Sequence, residues 1–313
     1  MEIISGTTQF QIWERTAVAI GKFDGMHLGH RYLIGELVQM AHENGEDALK
    51  TVVFTFDPSP AAFFSGKDIP ELFTKEEKRE VFAALGVDVL IEFPMNEETA
   101  CISAGQFVED VLSGALNAGL VLAGGDLSFG HRGAGNFELL REYAGKLGFQ
   151  AVQIDKVVYD GAPISSSRIR KAIRDGKIEE ANTMLDHPYS FGGVVTHGAQ
   201  LGHTLGFPTI NLVPPAGKLL PPNGVYLSRA LLPKEQADWI CGITNIGSKP
   251  TVQTDGAVVA ETYLYGEFGT LYGEEARLEL LSFRRPEKRF DSVDSLKEQL
   301  KKDIEEGRRL HGL

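Results

Sequence analysis

The stretch Gly21-Lys-Phe-Asp-Gly-Met-His-Leu-Gly-His30 joins a short apolar run, residues 17–23, to a segment with helical spacing of apolar residues. The apolar residues of that segment are Leu33, Ile34, Leu37, Val38 and Ala41. A strand that ends at a helix N-terminus is where α/β proteins bind phosphates, because free backbone N–H groups and the helix dipole point there. Gly25 and Gly29 would let a ligand approach the backbone closely. The stretch therefore predicts an α/β domain with an anion site at its first strand–helix turn.

Outward from this turn, the first half of the chain alternates strand-like and helix-like segments. The strand-like segments are 51–56, 87–93, 120–123 and 151–159, and the helical ones are 75–85, one that Ser103 would cap, and 137–146. Two short helices, 164–173 and 178–185, follow. Strands that alternate with helices of 10–15 residues indicate βαβ units and a mostly parallel sheet.

The pattern changes near Asp186, where short β-like runs separated by Gly and Pro turns begin. These runs are 191–196, 224–231, 239–246, 258–265 and 276–283. Strands at this spacing favour a small barrel or a sandwich. A last helix, capped by Asp291 or Ser292, would bury one face made of Val293, Leu296, Leu300 and Ile304. The predicted domains are therefore 1–186 and 187–313.

The net charge, the cysteine content and the apolar runs of the chain limit the classes of function that it can have. The 313 residues carry 31 basic and 43 acidic side chains, a net charge of −12, which argues against bulk binding to nucleic acid. Cys101 and Cys241 form no disulfide framework and no CxxC metal motif, so a reduced, cytoplasmic setting is expected. The first residues lack the pattern of a signal peptide, and no apolar run approaches a membrane span. Small-molecule ligands, with no membrane and no nucleic acid, are the expected partners.

Three polar strings in the first half carry candidate chemistry. His27 and His30 would lie together at the helix start, where they can donate hydrogen bonds to phosphate oxygens. Residues 124–133 hold four glycines after a strand, with Asp126 among them. Residues 164–170 open a helix with three hydroxyls and two guanidiniums, which suits an anion. Either histidine alone also fits a surface position at a helix start, but the full string at 21–30 argues against that reading. Residues 164–170 alone also fit an N-cap with a solvated basic turn.

The second half contains a glycine-rich loop followed by Pro208-Thr-Ile-Asn211. Its glycines Gly198, Gly202 and Gly206 would let backbone N–H groups face a nucleotide phosphate. Thr209 and Asn211 stand two apart on an extended segment, so they point the same way and offer oxygens suited to Mg²⁺. The glycines by themselves are more typical of a glycine-rich hairpin that ends in a polar strand.

Together the first three strings resemble the nucleotidyltransferase superfamily with its HxGH and ISSTxIR motifs. The Phe-Asp-Gly lead-in and the string at 124–130 resemble one branch, the adenylyltransferase half of bacterial bifunctional riboflavin kinase/FMN adenylyltransferases. The resemblance implies a Rossmann-like domain in which His27 and His30 contact ATP phosphates during catalysis. It implies nucleotide or phosphate binding by Gly21, Phe23, Asp24, Gly25, Gly29, Ser165, Ser166, Ser167, Arg168 and Arg170. It implies flavin binding by Asp126, Phe129 and Arg132.

The second half resembles the riboflavin kinase half of the same family along nearly its whole length, which implies a small antiparallel β-barrel with a terminal helix. The matching strings are GFPTIN, 222–226, 245–251, 261–264 and 285–290. The resemblance implies that Glu261 is the general base on the ribityl 5′-hydroxyl and that Thr209 and Asn211 hold Mg²⁺–ATP. It also implies nucleotide binding by Gly198, Gly202, Gly206 and Pro208, and flavin binding by Arg285 and Glu287. The expected function is phosphorylation of riboflavin to FMN, then adenylylation of FMN to FAD and pyrophosphate, with Mg²⁺ as cofactor and ATP as co-substrate.

The sequence departs from the family at three positions that matter for the alternatives. Ser59 stands where the family usually has His, His203 where Arg or Lys is usual, and Lys249 where Arg is usual. One alternative is an adenylyltransferase for another phosphorylated cofactor precursor, with the barrel kept only for binding. The other is a flavin-sensing regulator that retained the fold but lost turnover.

Overall fold

The computed structural model describes residues 1–43, 48–197, 206–232, 238–248, 258–266, 268–269 and 271–313. The chain forms two compact units, Met1–Ser166 and Ser167–Leu313. The first unit is built on a parallel sheet, and the second on a closed antiparallel barrel.

The first unit contains a six-stranded sheet. Its strands are β1 (Glu2–Ser5), β2 (Thr16–Ile20), β3 (Lys50–Asp57), β4 (Val89–Pro94), β5 (Ala118–Gly124) and β6 (Gln150–Ile154). They lie in the order β1-β4-β3-β2-β5-β6, and every neighbouring pair is parallel, which confirms the predicted sheet. After β2, the chain adds β3 and then β4 on one side of β2. It then crosses back and adds β5 and β6 on the other side of β2. The loops after β2 and β5 therefore flank a topological switch point, where open α/β sheets bind ligands.

Helices cover this sheet. They are α1 (Leu28–His42), α2 (Pro60–Ser65), α3 (Lys75–Ala84), α4 (Glu97–Ala100), α5 (Ala104–Gln106), which continues as a π-helix over Phe107–Ala115, and α6 (Phe137–Leu147). Ser103 caps α5 as predicted, with its hydroxyl accepting the N–H of Gln106. The core between the layers is mainly aliphatic, with a cluster of phenylalanines in which Phe54 lies 5.2 Å from Phe93 and 5.4 Å from Phe107 between ring centroids.

The predicted strand 151–159 is two elements. β6 ends at Ile154, and β7 (Val158–Tyr159) pairs instead with β8 (Ala162–Pro163) in a small hairpin. Asp160 and Gly161 form its turn with φ of 49° and 70°. An Asp-Gly pair with positive φ is the preferred two-residue hairpin turn, so this local signal overrides the apolar run.

Two helices precede the barrel: α7 (Ser166–Arg174) and α8 (Ile178–Leu185). Asn182 on α8 donates to the carbonyl of Leu280 at 2.9 Å and accepts the N–H of Tyr189 at 2.7 Å. These bonds attach α8 to barrel strands, which explains why the helices group with the second unit. The division between units thus falls after Ser166, whereas Asp186 ends α8 in a left-handed C-cap.

The second unit is a closed six-stranded antiparallel barrel. Its strands are β9 (Tyr189–Thr196), β10 (Thr209–Leu212), β11 (Gly224–Leu231), β12 (Ile240–Ser248), β13 (Val258–Leu264) and β14 (Glu275–Pro286). They close in the order β10-β13-β12-β11-β14-β9. Closure removes the exposed strand edges that a sandwich would keep, and it confirms the predicted barrel.

Helix α9 (Val293–His311) ends the chain and packs on the barrel. Ser292 is its cap, and Leu296, Leu300 and Ile304 are half-buried as expected. Val293 was wrongly assigned to the buried face, since it is 59% exposed in the first turn. The close contact is made farther along, where Gly307 faces the Tyr265 side chain, whose hydroxyl donates to the carbonyl of Ile304 at 2.6 Å.

Candidate functional site

The loop between β2 and α1 has a constrained backbone. Phe23, Gly25 and Met26 adopt positive φ of 49°, 84° and 40°. Phe23 and Met26 are almost fully buried, so packing holds the two non-glycine residues in this conformation. A Cβ on Gly25 would lie 2.6 Å from the Cδ1 atom of Leu72. Position 25 therefore requires glycine for both its φ and the close approach of Leu72.

Asp24 fastens this loop to two distant segments. Its Oδ1 accepts the N–H of Leu72 at 2.9 Å, and its carbonyl oxygen accepts the Ser166 hydroxyl at 2.8 Å. Asp24 thereby ties the loop after β2 to the segments at Leu72 and Ser166 within the first unit. Its direct contact with a nucleotide stays a prediction, as do those of Gly21 and Phe23.

The structure brings His27 and His30 together, as their spacing predicts. The two imidazole rings stack with centroids 3.7 Å apart and planes 14° apart. His27 caps α1, because its Nδ1 accepts the backbone N–H of His30 at 3.3 Å. The accepting nitrogen carries no proton, so Nε2 is the remaining donor of a neutral His27. The Nδ1 atom of His30 is buried and has no hydrogen-bond partner.

Burial keeps both histidines uncharged. It lowers the pKa of His27 from 6.5 to about 4, against the opposing negative charges of Asp24 and Asp126. Burial, followed by the charge of His27, lowers the pKa of His30 well below its ordinary value. At neutral pH the pair consequently offers hydrogen-bond donors rather than cations.

The loop after β5 lies on the other side of the switch point. Asp126 forms an ion pair with Lys156, 2.9 Å from Oδ2 to Nζ. Burial raises the pKa of Asp126, but the hydrogen bond and charge of Lys156 outweigh it, and the net shift is downward. Phe129 is 3% exposed and packs against Phe107 in the core, so it anchors this loop. The flavin contacts of Asp126 and Phe129 stay predictions.

A cavity of about 620 Å³ opens beside this loop and includes Arg132, another predicted flavin residue. Its lining residues are Phe63, Phe64, Glu97, Ala100, Cys101, Ser128, His131, Arg132 and Gly133. Phe63 and Phe64 lie on α2, far in sequence from Arg132. Two adjacent phenylalanines are typical of a core, so nothing in the sequence marks them as cavity residues, and only the fold exposes Phe64, at 65%.

Ser59 has a local role in this structure. Its hydroxyl caps α2 by accepting the N–H of Ala62 at 3.3 Å. Serine is among the preferred N-cap residues, so Ser59 provides a helix cap at the position where the family usually has histidine.

The ISSSRIR string falls on both sides of the division between units. Ser165 and Ser166 belong to the first unit, and Ser166 bonds Asp24 as described. Ser167, Arg168 and Arg170 belong to the second, where Arg168 lies 3.7 Å from the carboxylate of Glu180 on α8. Their contact with substrate phosphate stays a prediction.

The barrel assembles a second polar group. Thr209 and Asn211 lie on β10, and Glu261 on β13 is the register partner of Asn211. The hydroxyl of Thr209 donates to Oε1 of Glu261 at 3.0 Å. Asn211 is 5% exposed, and its Oδ1 has no hydrogen-bond partner. A hydroxyl, a carboxylate and an orphaned amide oxygen therefore lie side by side on one face.

The same face continues onto β12 and β14. Asn245 pairs with Glu261 in register, and its amide donates to Glu287 at 3.4 Å. Arg285 is bound to the carboxylate of Asp303 on α9, with Nε 3.0 Å from Oδ1. The predicted flavin contacts of Arg285 and Glu287 stay predictions.

Only part of the predicted glycine-rich nucleotide site lies within the described residues. Gly206, with a φ of 86°, and Pro208 lead directly into β10. Gly198, Gly202, His203 and Lys249 lie outside the described residues. His197, just before this glycine-rich loop, stacks on Tyr272 with ring centroids 3.6 Å apart, a contact between distant residues that no sequence motif indicates.

The fold and the two sites define a two-domain nucleotide-dependent transferase. The family model described as FAD synthetase matches residues 9–168, and the one described as riboflavin kinase matches residues 185–311. The chain therefore belongs to the family of bifunctional riboflavin kinase/FMN adenylyltransferases.

Curated relatives with that name match nearly the full chain. The protein from Listeria monocytogenes is 37% identical, over 93% of this chain and 91% of its own length. The protein from Escherichia coli K12 is 33% identical, over 96% and 94%. A crystal structure described as a macrolide-efflux protein from Streptococcus pneumoniae is 29% identical, covers 96% of both chains and has a TM-score of 0.85.

Among the described residues, no helix combines the length and the apolar character that a membrane crossing requires.

Proposed function

We propose that the barrel phosphorylates riboflavin with ATP to give FMN, and that the first unit transfers AMP from a second ATP to FMN, giving FAD and pyrophosphate. These are the two activities of the family to which the chain belongs. The observation that carries the proposal is the coincidence of each matched family with a separate site of the appropriate chemistry. The boundary of the two functional domains near Asp186 is part of the proposal.

In the first unit, an oxygen of the FMN phosphate attacks the α-phosphorus of ATP, and pyrophosphate leaves. The nucleophile is already an anion, so the site needs positioning and charge stabilisation rather than a base. The Nε2–H of His27 and the backbone N–H groups at the start of α1 are the donors for the phosphate oxygens. His30 supports His27 by stacking on it. No covalent enzyme intermediate is required.

In the barrel, the nucleophile is the 5′-hydroxyl of riboflavin, which must lose its proton as the phosphoryl group is transferred. Glu261 is the proposed general base, since a positioned carboxylate can accept that proton. Its Oε1 is held by Thr209, which fixes the direction of the carboxylate along the face of β10 and β13.

The residues of the barrel site fit Mg²⁺. This ion prefers oxygen ligands and is bound by a few protein oxygens together with substrate phosphates and waters. Thr209 and Asn211 would hold it, and the partnerless buried Oδ1 of Asn211 is the observation in favour. When bound, Mg²⁺ neutralises charge on the ATP phosphates.

The proposed setting is the cytoplasm, where ATP is available and the two free cysteines would stay reduced. The proposed ligands are riboflavin, FMN and ATP, without nucleic acid or membrane.

The test is a product assay. The purified chain is incubated with riboflavin and Mg²⁺–ATP, and flavins are separated by chromatography. We expect FMN to appear first and FAD to follow. Absence of both products would refute the proposal, and FMN without FAD would refute it for the first unit alone.

A further inference from the structure

An ion pair at the edge of the first site uses a lysine that none of the motifs contains. Lys156 follows β6, and its Nζ lies 2.9 Å from Oδ2 of Asp126, which follows β5. Since β5 and β6 are parallel neighbours, both residues lie beyond the carboxyl ends of their strands, at the edge where open α/β sheets bind ligands.

The ion pair belongs to the same electrostatic neighbourhood as the histidine pair. The negative charge of Asp126 acts on His27, and the positive charge of Lys22, in the loop after β2, acts on Asp126. Lys22 is exposed, and Lys156 keeps 41% of its side chain accessible. Asp126 is thus an anion placed beside the phosphate donors, with Lys156 bound directly to it.

This arrangement raises a charge problem for an incoming triphosphate. His27 and His30 are neutral, so they contribute donors but no positive charge. The carboxylate of Asp126 would repel phosphate oxygens, so the site needs a cation that can reach those oxygens directly. Lys156 is the cation in direct contact with Asp126, and its flexible stem lets the ammonium group change partners without moving the backbone.

We infer that Lys156 binds phosphate during adenylyl transfer. Its ammonium group leaves the carboxylate of Asp126 and binds an oxygen at the pyrophosphate end of ATP. The inference rests on the proposed adenylyl-transfer function of the first unit. The Lys156 ammonium then stabilises the negative charge that accumulates on the pyrophosphate as it leaves. Asp126 holds Lys156 in place when no phosphate is bound, and so competes with the substrate for it.

If Asp126 and phosphate compete for Lys156, substitutions of the two residues should change the affinity for pyrophosphate in opposite directions. Lys156→Gln should weaken the binding of inorganic pyrophosphate about tenfold, because a charged contact is lost. Asp126→Asn should tighten it several-fold, because the competing carboxylate is gone. A salt bridge with a merely structural role would give no such reversal, since exposed pairs contribute little and either substitution would remove the same interaction.

Titration calorimetry with inorganic pyrophosphate on the full chain measures these effects without turnover. Lys156→Arg should restore most of the affinity. Lys146→Gln is the matched control, because Lys146 also pairs with a carboxylate, that of Glu142, but on the surface of α6. Equal affinities for the wild type and Lys156→Gln, or equal losses for both members of the pair, would overturn the inference.

Steady-state kinetics provide the second readout. Lys156→Gln should raise the KM for ATP in FAD formation from FMN about tenfold, and leave FMN formation from riboflavin unchanged. An unchanged KM would also overturn the inference. Failure of the wild type to make FAD from FMN would instead refute the proposed function of the first unit, and the pyrophosphate titration would still decide whether Lys156 binds phosphate.

Discussion

The two sites handle the same co-substrate by different means. The site in the first unit is a packed loop with two stacked, uncharged histidines. Two carboxylates act on His27 there, Asp24 and Asp126, and each has another partner. The barrel site aligns a carboxylate, Glu261, with a hydroxyl and an amide across two strands. The difference follows the nucleophiles, since FMN phosphate arrives ionised while the riboflavin hydroxyl must be deprotonated.

A substitution at Glu261 should separate the activities of the two sites most strongly. Glu261→Gln should lower FMN formation by about 10²–10⁴-fold, because the amide cannot accept the hydroxyl proton, while FAD formation from supplied FMN persists. Chromatography of each reaction measures both rates in one chain. Glu275→Gln, at an exposed carboxylate of β14, is the control and should change neither rate. Loss of both activities in Glu261→Gln would contradict the assignment of one site to each step.

The reciprocal change is His27→Asn. Asparagine is a good N-cap, so it can keep the start of α1 while removing the Nε2 donor. FAD formation from FMN should fall by about 10²–10³-fold, and FMN formation should stay intact. His42→Asn, at the far end of the same helix, is the control. An active His27→Asn variant would show that the capping function of His27, and not its Nε2 donor, is what the site needs.

The neutral state of His27 predicts a pH effect on stability in the first unit. Its pKa is about 4 when folded and about 6.5 when unfolded, so the unfolded chain binds the additional proton between these values. The stabilisation is complete above about pH 6.5 and is lost as pH falls toward 4. Between about pH 7 and pH 5 the wild type should lose about 2 kcal/mol more than His27→Asn. Urea midpoints at the two pH values measure this, and parallel losses would contradict the shifted pKa.

The smallest expected effect concerns Ser59. Ser59→Ala removes the cap of α2 and should lower the free energy of unfolding by about 1 kcal/mol. Ser59→Asp, which keeps a capping oxygen, should retain most of the stability. Denaturant unfolding measures both variants. If Ser59→Ala instead slows FAD formation strongly at unchanged stability, Ser59 acts on the substrate and not on the helix.

The sequence predicts those features that depend on local spacing. The three-residue interval places His27 beside His30, and the two-residue interval places Thr209 and Asn211 on one face of β10. The alternation of strands and helices likewise predicts the parallel sheet. The Gly/Pro-punctuated runs fit a barrel or a sandwich, and it is the family resemblance that favours the barrel.

Features that depend on long-range packing are not predictable in this way. The pairing of Glu261 with Asn211 requires the register of two strands 50 residues apart in sequence. The contacts of Leu72 with Gly25 and of Lys156 with Asp126 join segments that no motif connects. The predicted burial of Val293 is wrong for a simpler reason, because helical periodicity does not tell which turn of α9 reaches the barrel.

A mixing experiment tests the central claim, that each unit carries one step, most directly. Glu261→Gln and His27→Asn chains are incubated with riboflavin and Mg²⁺–ATP, separately and as an equimolar mixture, and flavins are quantified by chromatography. Alone, Glu261→Gln should leave riboflavin unchanged and His27→Asn should stop at FMN. The mixture should produce FAD, because FMN made by one chain is adenylylated by the other. A mixture that makes no FAD, while the wild type does, would contradict the account.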